Sequence, residues 1–214
     1  MRLHYKGTYN LDPASLPRAP RRSRAVQFRE VRDTKALSLI ANGLCVLILI
    51  LLAAPAFQRC QGTFNTGQMI AGCFLPMAFL LPHELLHAVC FREDVYLYTN
   101  LRQGMLFVIG TEDMSKSRFI FMSLLPNLVF GLTPYIIGMA LPNLATAMFG
   151  AICTGMGAGD YYNIFNTLTQ VQRAGGYITT VSIPTGICQN STESVPFRER
   201  FFLRSSVYKL KKKW

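Results

Sequence analysis

The chain has 214 residues, 50% of them hydrophobic and only 15% charged, against about 25% charged in ordinary soluble domains. Its mean hydropathy is +0.25 and its apolar residues fall in blocks, which excludes a disordered chain, a soluble coiled coil and a collagen-like chain and leaves a membrane protein as the expected class. The net charge of +11 is concentrated before residue 36 and from Arg173 onward, flanking the apolar blocks. That is the distribution of cytoplasmic ends resting on anionic membrane lipid; no recognition motif accompanies it, so no nucleic-acid partner is expected.

Residues 1–35 read as a basic cytoplasmic N-terminal tail, too polar for a secretory signal. Residues 36–57 carry no charge and are long enough to cross about 30 Å of hydrocarbon. A short polar link at 58–66 leads to a second apolar run, 68–91, which contains Pro76, Pro82 and the polar cluster His83, Glu84 and His87. Residues 92–118 are mixed in character. Two β-prone stretches, 95–99 and 105–109, predict a hairpin turning near 100–104.

A third span is expected over 119–141, interrupted by Pro126 and Pro134, and a fourth over 144–165, rich in glycine. Only Pro142 and Asn143 separate them, which predicts an antiparallel helical pair. The expected fold is therefore an all-α membrane protein of about four transmembrane helices with a small cytoplasmic β-hairpin between the second and third. Its membrane domain spans 36–165, and 166–214 form a cytoplasmic C-terminal region ending in a basic tail. Both termini then lie in the cytoplasm and the protein is multi-pass in the cell membrane, with one basic residue outside and twenty-one inside. The sequon Asn190-Ser191-Thr192 faces the cytoplasm in that topology and stays unused.

His83-Glu84-Leu85-Leu86-His87 is an H-E-x-x-H motif that uses two of only three histidines. On a helix, residues i and i+4 share a face, so both imidazoles can bind one tetrahedral Zn²⁺ while Glu84 serves as general base toward water. Ionisable groups inside apolar spans are costly and mark function by default. The four apolar blocks hold two carboxylates, Glu84 and Asp160. Catalytic zinc takes three protein ligands, so a third is needed; Asp160 is the leading candidate, at a depth similar to the histidines, with Glu93 and Asp94 as competitors from the adjoining loop.

The stretches P-H-E-L-L-H-A at 82–88 and G-A-G-D-Y-Y-N at 157–163, with the Pro126 span between them, resemble the bacterial zincin membrane peptidases, relatives of the site-2 intramembrane proteases. The likeness covers roughly 70–165. It implies that His83, His87 and Asp160 bind zinc and that Glu84 activates water. It departs from better-studied site-2 proteases in that Tyr161, not glycine, follows the aspartate.

Asn127, after Pro126, is a candidate for substrate positioning or interhelical bonding, and Asn163, one turn beyond Asp160, for orienting that carboxylate. A strand at 105–109 can hold an extended peptide beside the metal. The expectation is a membrane-embedded zinc metallopeptidase acting on a peptide substrate in or near the membrane. The alternative is a non-catalytic membrane accessory or regulatory protein that retains the pocket. A structural site has no need of Glu84, which favours the enzyme. The sequence carries no signal of oligomeric state.

Overall fold

The computed structural model describes residues 1–12, 15–17, 25–27, 31, 34–63, 65–103, 105–171, 177–183 and 187–193. Most of the basic residues of the two predicted tails lie outside these. In chain order the strands and helices are β1 (Arg2–Thr8), β2 (Ala25–Gln27), α1 (Thr34–Arg59), α2 (Thr66–Ala78), α3 (Leu80–Val89), β3 (Asp94–Asn100), β4 (Met105–Gly110) and β5 (Asp113–Ser115). They continue with α4 (Lys116–Pro126), a π-helical turn over Asn127–Leu132, α5 (Thr133–Ala140), α6 (Leu144–Met156), α7 (Ala158–Gln170), β6 (Tyr177–Ile183) and β7 (Ile187–Glu193).

Among the described residues two helices are long and apolar enough to cross a membrane, Ala36–Arg59 and Lys116–Ala140. The second predicted span is a bent pair, α2 and α3, meeting at 44°. The bend has a local cause. Pro82 has no N–H for the Ala78 carbonyl one turn back, and its ring crowds that carbonyl, so the ladder breaks at Phe79 and restarts in a first turn that needs no donor from Pro82. The fourth predicted span is likewise two helices, parted at Gly157. α6 alone is about 20 Å long, short of the hydrocarbon thickness. It is mostly buried and packs against α1, α2 and α5, whereas α1 exposes Leu39, Val46, Leu47, Ile50 and Leu51. Small residues let these helices approach: a Cβ on Gly138 would strike the Ala147 backbone, and one on Gly150 the backbone of Tyr135 and Gly131.

The fold is richer in strand than the expected all-α architecture with one hairpin. β3 and β4 pair antiparallel, Asn100 opposite Met105, and β1 adds to β3 in parallel, from Arg2 opposite Asp94 to Thr8 opposite Thr99. A second sheet runs β2-β7-β6-β5. The first residues are thus part of the folded unit and not simply a tail. Tyr9 is 1% exposed and meets Tyr98 and Phe107 edge-on, with Leu16 and Ile109 completing the cluster. Burial, with Asp12 nearby, pushes the Tyr9 phenol above its ordinary range. Charge patterning in the sequence hides this role, because Arg2 and Lys6 make the segment look solvated.

The end of α3 is anchored from two sides. Ala88, Phe91 and Val95 join a core with Met114, Phe119, Met122 and Ile178. Beside it Glu112, in the stretch of mixed character at 92–118, is 6% exposed and accepts hydrogen bonds at 2.7 Å from the backbone N–H groups of both Arg92 and Glu93. Arg118 pairs with Glu112 and donates to the Cys90 carbonyl, which closes the C-terminus of α3.

Candidate metal centre

The helical spacing of the motif puts His83 and His87 one turn apart on α3, their ring centroids 4.9 Å apart. Asp160 stands in the first turn of α7 and reaches both: Oδ2 lies 3.4 Å from His83 Nε2 and Oδ1 lies 3.3 Å from His87 Nε2. All three side chains are largely buried. One ligand atom each from His83, Glu84 and His87 falls within a 4.8 Å cluster. The competitors for the third position point elsewhere. Asp94 pairs with His4 at 3.2 Å across β3 and β1, and Glu93 is exposed.

Two features test whether these residues suit a metal. His87 Nδ1 lies 3.0 Å from the Met122 carbonyl oxygen. A carbonyl only accepts, so the bond assigns a ring proton to Nδ1 and leaves Nε2 facing Asp160. A carboxylate against that nitrogen is held there by a cation, either a second ring proton on Nε2 or a metal ion in its place. The second feature is spacing: ligands about 2.0–2.1 Å from a tetrahedral zinc stand about 3.3–3.4 Å from one another. Each imidazole has one oxygen of Asp160 at a separation of that size, Oδ2 at 3.4 Å from His83 and Oδ1 at 3.3 Å from His87. Two imidazoles and one carboxylate are a donor set suited to zinc with a fourth position left open.

The aspartate is held by Asn127. The Asn127 Nδ2 group donates to Asp160 Oδ2 at 2.8 Å and to the Ser123 carbonyl at 2.9 Å. Asn127 is 3% exposed, and its Oδ1 packs on Gly157, where a Cβ would overlap it. Asn163 is buried on α7 one turn beyond Asp160. Glu84 Oε2 accepts the Val108 N–H of β4 at 3.1 Å, so the carboxylate next to the histidines also touches a strand that lies at the edge of its sheet among the described residues. The Met122 carbonyl and the Val108 N–H escaped sequence reasoning because backbone groups have no side-chain signature.

Residues 77–174, from the end of α2 through α7, match a family described as putative zincin peptidase. The match covers just under half of the chain and contains every residue of the cluster. It supports a zincin-like metallopeptidase with zinc as its metal. No curated protein and no solved structure matches the chain.

Proposed function

We propose that this chain is a membrane-embedded zinc metallopeptidase of site-2-protease type that hydrolyses peptide bonds in or near the membrane. The observation that carries the reading is the convergence of His83, His87 and Asp160 at 3.3–3.4 Å with the His87 tautomer fixed by Met122. His83, His87 and Asp160 hold the ion, and Asn127 orients the aspartate. Zinc held there would supply Lewis acidity, to polarise a scissile carbonyl and to lower the pKa of water toward neutral. Glu84 takes a proton from the attacking water and passes it to the leaving amine.

A helical substrate hides its carbonyls in internal hydrogen bonds, so hydrolysis within a membrane needs an extended segment. The β4 edge offers one, because a peptide adding there as a strand runs beside Glu84, which the Val108 N–H already contacts. The exposed apolar face of α1 and the apolar Lys116–Ala140 helix support insertion in lipid. The basic flanks support a multi-pass topology with both termini cytoplasmic and the metal site toward the cytoplasmic side.

The test is bound metal per chain in detergent-purified protein. Near one zinc per chain in the wild type and in Glu84→Gln, lost in His87→Ala and Asp160→Ala, supports the reading. Well-folded wild-type protein that takes up no zinc when supplied refutes it. A Glu84→Gln variant that binds zinc and retains full function in the cell shifts the conclusion to a non-catalytic membrane protein.

A further inference from the structure

The two groups that orient the metal-binding side chains both belong to one helix, α4, and both stand where its hydrogen-bond ladder fails. In an uninterrupted α-helix the Met122 carbonyl accepts the N–H of residue 126 and the Ser123 carbonyl that of residue 127. Residue 126 is proline and has no N–H. The Asn127 N–H bonds to the Leu124 carbonyl, one residue short of the regular partner, and a π-helical turn follows. Met122 instead receives the His87 Nδ1–H at 3.0 Å, and Ser123 the Asn127 side-chain amide at 2.9 Å. The second hydrogen of that amide goes to Asp160.

We infer that Pro126 is a positioning residue of the metal site, which leaves the Met122 carbonyl to fix His87 and shifts the helix register so that Ser123 and Asn127 fix Asp160. The inference rests on the metallopeptidase reading. One proline thereby serves ligands from two different helices, α3 and α7, with no contact of its own to the metal. The bland account of Pro126, a kink common in apolar helices, predicts no link to the site and no effect on it when the kink is removed.

Pro126→Ala discriminates between them. The substitution restores an N–H that competes with His87 for Met122 and favours closing the ladder. Pro134→Ala, two helical turns on in α5, is the control, because it restores an N–H of the same kind without touching a ligand-orienting carbonyl. The readouts are Co²⁺ affinity by competition titration and the visible absorption of the Co²⁺-loaded protein, with thermal unfolding of the metal-free protein as a measure of folding. We expect about tenfold weaker Co²⁺ binding and altered Co²⁺ bands in Pro126→Ala, with metal-free stability unchanged or raised. Pro134→Ala is expected to match the wild type. Wild-type affinity and spectrum in Pro126→Ala, or equal changes in both variants, overturn the role of Pro126 while leaving the metal site standing. A wild type that binds neither Co²⁺ nor Zn²⁺ overturns the metallopeptidase reading and this inference with it.

Discussion

Asn127 Nδ2 and Asp160 Oδ2, 33 residues apart in sequence, are joined by a 2.8 Å hydrogen bond that ties the irregular turn after α4 to the first turn of α7. The bond holds one carboxylate oxygen from the side, while the two oxygens stand at 3.4 and 3.3 Å from separate imidazoles. An aspartate on a single bond to its helix can rotate; fixed by a neighbour, it keeps one oxygen toward each imidazole.

Replacing Asn127 by alanine removes that restraint and keeps all three ligands. Zinc affinity is expected to fall by about 10–100-fold, the usual cost of losing a group that orients a ligand, with stoichiometry at saturating zinc unchanged. A competition titration against a chromophoric chelator measures it, and unaltered affinity counts against the orienting role.

Gly157→Ala and Gly138→Ala separate site geometry from general packing. The first places a methyl group on Asn127 Oδ1, the second on the Ala147 backbone between α5 and α6. Both are expected to cost about 1–3 kcal/mol in stability as overpacked positions. Only Gly157→Ala should also weaken zinc binding. Thermal unfolding and metal titration on the two variants show whether the effects part in this way.

Chelation should destabilise the fold, since a metal bound by the folded chain and not by the unfolded one stabilises it by mass action. A ligand present at about 1,000 times its Kd contributes roughly 4 kcal/mol, which for a chain of this size is about 10 °C in Tm. The expected result is a drop of that order on adding a strong chelator and recovery on adding excess zinc. An unfolding midpoint indifferent to both speaks against a resident metal.

Tyr9→Ala tests whether the N-terminal segment is structural. The ring is fully enclosed by Leu16, Tyr98, Phe107 and Ile109, so truncation should cost about 3–5 kcal/mol, as for other buried aromatics. Hydrogen exchange resolves where the loss falls: the β3 and β4 amides should lose protection while those of α6 keep theirs. Uniform loss across the chain, or none, counts against this assignment.

The legible part of the centre is the part written in side chains at a fixed period. Two histidines at i and i+4 share a helical face in any helix that holds them, and Asp160 drew notice because a carboxylate is rare in apolar sequence. The helix breaks were less legible. Hydropathy registers how apolar a run is, not whether it is one rod, so 68–91 and 144–165 read as single spans although their ladders stop at Phe79 and Gly157. The roles of the Met122 and Ser123 carbonyls depend on a proline one turn away and could have been sought from Pro126 by asking which acceptor it leaves free. The parallel pairing of β1 with β3 had no local signal, because its partner lies some ninety residues on.

That pairing sets an order of events during synthesis. β1 leaves the ribosome before α1, α2 and α3 exist, yet its neighbour in the sheet, β3, follows all of them. At about 5–20 residues per second the interval is on the order of 5–20 s. Throughout it the first strand has no β3 to join, and its arginine, histidine and lysine keep it soluble while Tyr9, just after it, waits for the cover that Tyr98 and Phe107 later give. The sheet beside Glu84 therefore closes late, and a nascent chain has its H-E-x-x-H helix before it has a complete sheet next to it.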